Sequence, residues 1–270
     1  MTSPLVAVRE LRIRLNDAVF RVELGMPRDP TGVVFLLRDN GNIVRGHALA
    51  FSLREKGFGT AVCDLLTPAE RERAARLRRV PTRTELLASR LMKVVDAVGD
   101  EADLGMATAG IVVAGTAVAA ALRVAALRPL AFDAITCRHA NIASVHSLEY
   151  VRAATLFLAV AGDLARIRPM TRAFQQLHCA KHFEILPGAS PAFADERSFV
   201  LAAEVTCAWM RKHIGGIGNR VRSPESGTDR TDRTDRTNRT YESYESYESC
   251  TSYSYDQIDS PSLDSRYDPS

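Results

Sequence analysis

The most constraining feature of this chain is a repeated alternation between short apolar runs and longer amphipathic segments. The runs GVVFLLRD (32–39), GIVVA (110–114) and ATLFLAVA (154–161) have the length and β-branched content of buried strands. Between two of them lies TELLASRLMKVVDAV (84–98), in which apolar residues recur at the three- and four-residue spacing of a helix. Strands that alternate with helices predict an α/β protein, with a mostly parallel sheet covered on both faces.

The beginning of the chain has a different pattern. VRELRIRL (8–15) and VFRVELGM (19–26) alternate apolar and polar residues, which predicts an antiparallel strand pair. The chain has 270 residues, 46% of them hydrophobic, which is enough for one sizeable core. In parallel sheets of this kind, functional groups lie at the carboxyl ends of the strands.

The end of the chain is a low-complexity segment. TDRTDRTDRTNRT (228–240) is followed by YESYESYES (241–249), and aliphatic residues are nearly absent there. Such a segment buries too little apolar surface to offset its chain entropy. We therefore predict one domain over residues 1–220 and a disordered tail over 221–270. The repeats have two interpretations, a DNA-level triplet expansion or a Tyr- and Ser-rich phosphorylation or docking segment.

Composition also bears on where the protein works. No apolar run reaches the length of a membrane span, and the N-terminus lacks the pattern of a secretory signal. The five cysteines are scattered and odd in number, with no CxxC pair, which favours a reduced, cytoplasmic protein. From residue 222 onward there are 6 Arg and 11 Asp or Glu, so an acidic tail follows a mildly basic body. We expect no membrane partner and no nucleic-acid partner.

Four stretches of the body occur in an order that resembles a known family. They are CDLLTPAERE (63–72), IVVAGTAVAAALRVAALRP (111–129), ATLFLAVAGD (154–163) and FEILPGASPAF (183–193). Together they resemble the α/β-hydrolases, and within them the bacterial dienelactone-hydrolase-like proteins, some of which are fused to a phosphoribosyltransferase domain. The resemblance covers roughly residues 5–213. It implies the α/β-hydrolase fold and, for members with an intact triad, hydrolysis of carboxylic esters or lactones.

The strand-to-helix turn of this resemblance lacks a nucleophile. The family carries Ser or Cys at the centre of a G-x-S-x-G or G-x-C-x-G turn. The matching stretch here is Val113-Ala114-Gly115-Thr116-Ala117, so the nucleophile position falls on Gly115. Thr116 comes one residue late, and we expect its hydroxyl to point away from the cleft. Its backbone N–H matches an oxyanion-hole donor of the family.

The other triad positions give a mixed result. The resemblance puts the triad acid at Asp163, for which a structural role, capping the next helix, is an equally good interpretation. It puts the triad His at Pro191, which has no base function. The loop RDNG (38–41) departs from the family's oxyanion loop as well. A triad without nucleophile and base retains only about 10³–10⁴-fold catalysis over water.

These departures predict a catalytically degenerate member of the fold. We expect it to bind a small molecule or a protein partner, which includes a second copy of itself or an active relative. The alternative is an esterase or lactone hydrolase of altered mechanism, which would rest on Asp163 and the amide of Thr116. No cofactor and no resident metal are expected.

Catalysis could also have moved to another group. Cys137 and His139 end the strand after the turn helix, and a Cys–His pair can form a nucleophile, although a buried Cys137 is the better interpretation. In HCAKH (178–182) two His flank a Cys, but no fourth ligand is evident, so a solvated loop is favoured over zinc. ERERAARLRRVPTR (70–83) holds six Arg, and a solvated helix face is favoured there over phosphate or nucleic-acid binding.

Overall fold

The computed structural model describes residues 6–15, 18–37, 43–77, 84–101, 109–140, 142, 146–190 and 193–215. The strands are β1 (Ala7–Leu15), β2 (Ala18–Met26), β3 (Val33–Leu37), β4 (Gly59–Cys63), β5 (Ala109–Gly115), β6 (Ala134–Ala140), β7 (Ala154–Val160) and β8 (Lys181–Leu186). The α-helices are α1 (Ile43–Glu55), α2 (Pro68–Leu77), α3 (Thr84–Glu101), α4 (Ala117–Leu127), α5 (Leu164–Gln176) and α6 (Glu196–His213). The predicted repeat tail lies outside the described residues, and so does Pro191.

The strands form one eight-stranded sheet in the order β1-β2-β4-β3-β5-β6-β7-β8. Strand β2 pairs antiparallel with both β1 and β4, and every pair from β4 to β8 is parallel. This confirms the predicted α/β class, the mostly parallel sheet and the antiparallel pair at the beginning of the chain. The strand order brings the carboxyl ends of β5, β6 and β7 side by side.

Helices cover both faces of the sheet, as the unbroken apolar strands require. On one face, side chains of α3, α4 and α5 pack with strand residues such as Ile111, Ile135 and Phe157. On the other face, α1 and α6 pack with neighbouring strand residues such as Val112 and Leu156. Because consecutive strand residues point to opposite faces, Ile111 and Val112 enter different halves of the core.

Local signals set the ends of two helices. The turn after α1 contains Gly57 at a φ of +87°, a left-handed conformation that glycine adopts without strain. At the start of α2, the N–H and the hydroxyl of Thr67 both donate to Glu70 Oε2, and the N–H of Glu70 donates back to the Thr67 hydroxyl. This reciprocal capping box fixes the beginning of α2.

Two apolar stretches of the sequence do not coincide with the strands they form. The stretch TAVCDLL (60–66) has the pattern of a strand throughout, but β4 ends at Cys63. The reason is local, because the carboxylate of Asp64 accepts the N–H of Leu66 at 2.8 Å and turns the chain. Strand β6 begins later than AFDAITC (131–137) suggests and continues to Ala140. No helix in the described part of the chain is long and apolar enough to cross a membrane.

Candidate active site at the carboxyl edge of the sheet

The turn between β5 and α4 has the geometry that the sequence predicts for it. Gly115 ends β5 at a φ of +59°, and Thr116 then begins α4 in a right-handed conformation. A residue with a side chain is strained at such a φ, so glycine suits this position conformationally. Behind the turn, Ala119 and Ala121 of α4 are fully buried, and their small size lets the helix lie close to its neighbours. The turn is therefore well formed but offers no nucleophilic side chain at its tip.

The adjacent strand carries an imidazole beside this turn. Ala114 pairs with Arg138 and Gly115 pairs with Ala140, so His139 is an extra residue in β6 with no partner opposite it in β5. Its φ of +46° marks the irregularity. A bulge of this kind re-aims a side chain at a strand end. It breaks the alternation that would otherwise put residues 137 and 139 on one face of the sheet.

Asp163 lies at the end of the next strand and contacts this imidazole. Its Oδ2 lies 3.7 Å from His139 Nδ1 and 3.2 Å from Arg166 Nε. The side chains of His139 and Asp163 are only 13% and 25% exposed. Asp163 occupies the N-cap position of α5, but its side chain makes no capping hydrogen bond. The carboxylate is therefore directed to a His and an Arg, whereas its role as a triad acid stays a prediction.

The connection between β8 and α6, in which the family delivers its His, is anchored to the opposite face of the sheet. Arg45 of α1 donates to the carbonyls of Phe193 and Ala194. The guanidinium carbon of Arg138 lies 5.4 Å from the ring centroid of Phe193 and 5.7 Å from that of Phe199. These contacts hold the described part of the connection against α1, β6 and α6. Pro191, the predicted position of the lost triad His, lies outside the described residues.

The cysteines predicted to be structural are buried. Cys137 and Cys63 are fully buried in the core cluster under α3, α4 and α5. Burial raises the pKa of the Cys137 thiol far above its usual range, so it stays protonated and is a poor nucleophile. A protonated thiol at Cys137 makes a Cys–His pair with His139 a poor nucleophile, and the imidazole of His139 instead lies beside Asp163. This juxtaposition was missed from the sequence, where the only available signal was a His and an Asp at the ends of successive strands.

The remaining candidates are also located. His178 and Cys179 lie in the connection between α5 and β8, as expected, and His182 lies in β8 with its Nε2 2.9 Å from Glu184 Oε2. Within the described ranges, no group of three or more His, Cys, Asp or Glu is placed to hold a metal ion. The first part of the Arg-rich stretch forms α2, and residues 78–83 of that stretch lie outside the described residues.

Comparison with known proteins agrees with this geometry. No family model matches the chain. Over 220 residues it is 29% identical to a Mycobacterium tuberculosis protein that is provisionally named a phosphoribosyl transferase; the match covers 80% of this chain and 48% of that protein. The chain thus spans about half the length of the curated relatives it matches. This agrees with the resemblance to hydrolase domains that are fused to a phosphoribosyltransferase domain.

Solved structures give the fold directly. A dienelactone hydrolase from Anabaena variabilis superposes with a TM-score of 0.70 and 27% identity, over 77% of this chain and 98% of that one. The esterase domain of a Rhodothermus marinus protein superposes with a TM-score of 0.60 and 14% identity, over 77% of this chain and 100% of that one. The protein therefore has the α/β-hydrolase fold and is similar to the dienelactone-hydrolase-like proteins.

Proposed function

We propose that this protein binds a small molecule or a protein partner at the carboxyl edge of its sheet and forms no covalent acyl-enzyme intermediate. The single observation that carries the proposal is Gly115, which occupies the tip of the strand-to-helix turn with a hydrogen as its side chain. Acyl transfer in this fold needs an oxygen or sulfur at that tip. The buried, protonated thiol of Cys137 does not replace it.

The test of this proposal is a search for the covalent intermediate. Purified protein is mixed with p-nitrophenyl acetate, and both the release of p-nitrophenolate and the intact mass of the protein are measured. We expect no initial burst, no acetylated species and a rate comparable with that of heat-denatured protein. A burst of one equivalent per chain, with a matching acetyl adduct, would exclude the proposal.

Binding is tested separately by saturation-transfer NMR with the lactone dihydrocoumarin as the probe. Wild-type protein is expected to transfer saturation, and Gly115→Phe, which fills the tip of the turn, is expected to abolish the transfer. The matched control is Gly99→Phe in α3, where a Cβ meets open space away from the site. Equal loss in both variants, or no transfer in the wild type, would contradict binding at this edge.

A second candidate function, hydrolysis by an altered mechanism, is favoured by one specific observation. Asp163 Oδ2 lies 3.7 Å from His139 Nδ1, an ion-pair distance from which a small approach of the two groups would let the carboxylate orient the imidazole and leave Nε2 as the proton acceptor. In this mechanism Nε2 takes a proton from water while the water oxygen bonds to the ester carbonyl carbon. The backbone N–H of Thr116 stabilises the oxyanion, and the imidazolium returns its proton to the departing alkoxide.

The two candidates differ in what Asp163 does. If the hydrolytic mechanism operates, Asp163→Asn is expected to lower kcat/KM for p-nitrophenyl acetate about 10²-fold or more, the range of general-base catalysis. His139→Gln should do the same. The control is Asp96→Asn, which removes an exposed ion pair to Arg128. Unchanged kinetics in all three variants would exclude the hydrolytic mechanism.

A further inference from the structure

A cleft lies where the β1–β2 hairpin extends past the end of β4. The ladder between β2 and β4 runs only from Val22 to Gly25, so the part of β2 before Val22 overhangs the carboxyl end of β4. Beneath the overhang is a cleft of about 660 Å³. Its charged lining residues are Arg12 and Arg21 of the hairpin and Asp64 and Arg71 from the segment after β4. A volume of this size is typical of small-molecule sites.

Two of these arginines stand directly opposite each other in the hairpin. Arg12 and Arg21 are cross-strand partners, and like charges in that position destabilise a hairpin. A single carboxylate serves both, since Glu10 lies 2.8 Å from Arg12 Nε and 3.8 Å from Arg21 Nη1. Their side chains remain 69% and 71% exposed, so most of their N–H donors face solvent and the cleft.

The third arginine is incompletely satisfied. Arg71 Nη1 lies 3.2 Å from Asp64 Oδ2, while the other oxygen of that carboxylate accepts a backbone N–H. Arg71 Nε is buried and has no hydrogen-bond partner within the described residues. Among the described residues, Asp64 therefore satisfies this guanidinium group only in part, which leaves its remaining donors for another acceptor.

Glu70, the residue before Arg71 in α2, pairs with Arg90 of α3 and not with Arg71. Glu70 is held by Arg90 through two hydrogen bonds of 2.7 and 3.0 Å. Three guanidinium groups, each with five N–H donors, therefore line the cleft, and among its described lining residues Asp64 carries the one carboxylate. The apolar lining residues are Val19, Phe20, Leu66 and Pro68. Phe20 is buried and Val19 is exposed, so Val19 and its neighbours give the site a hydrophobic wall beside its charges.

We propose that this cleft binds a small organic phosphomonoester. Planar guanidinium groups bind phosphate and carboxylate oxygens bidentately. A tetrahedral phosphate accepts donors from several directions, which suits arginines that come from two different elements better than a planar carboxylate does. The organic part of the ligand would pack against Val19 and Leu66. This inference is independent of what happens at Gly115.

The test is isothermal titration calorimetry of the full chain at low ionic strength, with phenyl phosphate, its carboxylate counterpart phenylacetate, and inorganic phosphate as probes. Phenyl phosphate is expected to bind at least tenfold more tightly than either of the others. Inorganic phosphate lacks the ring, and phenylacetate lacks the tetrahedral group. Equal or tighter binding of phenylacetate would overturn the assignment to phosphate, and no detectable heat with phenyl phosphate would overturn the site.

Variants locate the site. Arg21→Gln and Arg71→Gln are each expected to weaken phenyl phosphate binding about tenfold, the effect of losing one charge-assisted contact. The matched control is Arg76→Gln, which removes the same charge from an exposed position of α2, where Arg76 pairs with Glu72. Arg21 is on the surface, so its variant tests the proposal even if Arg71→Gln unfolds. Equal weakening by Arg76→Gln would show a non-specific charge effect and would refute the cleft.

Discussion

Gly115 shows how the sharp turn between β5 and α4 forms with a glycine at its tip. Its φ of +59° is a left-handed conformation that glycine adopts without strain. The turn therefore forms here independently of the Ser or Cys that dienelactone-hydrolase-like proteins carry at this position.

This independence predicts the result of restoring a hydroxyl. Gly115→Ser is expected to react with a fluorophosphonate probe at the introduced hydroxyl, and wild type and Gly115→Ala are not. Both variants should lose about 1–2 kcal/mol of stability, the cost of a side chain in a left-handed conformation. The measurements are gel fluorescence after labelling and chemical denaturation. A folded Gly115→Ser that does not label would mean that position 115 does not face the cleft.

A second prediction at the residue scale concerns the reactivity of the buried Cys137 thiol. Because burial raises its pKa far above the usual range, iodoacetamide is not expected to alkylate Cys137 in the native protein between about pH 6 and 9. The same peptide should be alkylated readily in guanidinium, with the profile of an ordinary thiol. Peptide mass mapping measures both. Faster alkylation of Cys137 in the native protein than in the unfolded chain would contradict this prediction and would make Cys137 a candidate nucleophile.

At the scale of elements, Arg90 joins three parts of the fold. From α3 it reaches Glu70 of α2, donates to the carbonyl of Leu65 at 2.8 Å, and lies over the ring of Phe20 in β2 at 5.1 Å from its centroid. Only 14% of its side chain is exposed. The position of α2 therefore depends on this one guanidinium group as well as on its capping box.

We therefore expect Glu70→Gln to destabilise the protein by about 1 kcal/mol, because the charge-assisted pair with Arg90 is lost while glutamine keeps the capping box. Glu72→Gln, two residues further along α2, is the control. Glu72 pairs with the exposed Arg76, so its loss should cost less than about 0.5 kcal/mol. Urea denaturation at neutral pH compares the two variants, and equal effects would contradict the role of Arg90.

The same pair predicts a pH dependence. Hydrogen bonds from Arg90 lower the pKa of Glu70 from 4.5 to about 2. A depressed pKa in the folded state means that the stabilisation is fully present above about pH 4.5 and is lost as the pH falls toward about 2. The difference in unfolding free energy between wild type and Glu70→Gln should shrink over that range. A constant difference would mean that the ionised carboxylate is not its source.

At the scale of the whole molecule, the described elements end with α6 and Ile214. Ile214 is buried against the α1–α6 half of the core. A chain shortened after residue 220 is therefore expected to keep its melting temperature within about 2 °C, which corresponds to a change of less than about 1 kcal/mol. Differential scanning calorimetry measures it against the full chain. A drop of 10 °C or more would contradict the predicted boundary between domain and tail.

Much of the fold could be predicted because it is encoded locally. The apolar runs specified strands, and the three- and four-residue spacings specified helices. Strand ends were less accurate, since β4 stops where the side chain of Asp64 binds the backbone of Leu66. That choice depends on a single hydrogen bond, which hydrophobic patterning does not encode.

The sequence by itself determined the class of fold, because the alternation of apolar runs and amphipathic segments along the chain specifies it. It also determined that a glycine occupies the sharp turn at position 115, because that is a property of a short continuous stretch. Only the tertiary structure decided that His139 faces Asp163 and that Arg71 joins the arginines of the hairpin. Those pairings depend on strand order, on a one-residue bulge in β6 and on how far β2 overhangs β4. Strand order, bulges and overhangs bring together residues that are distant in the chain. The local periodicity of a sequence does not specify these features.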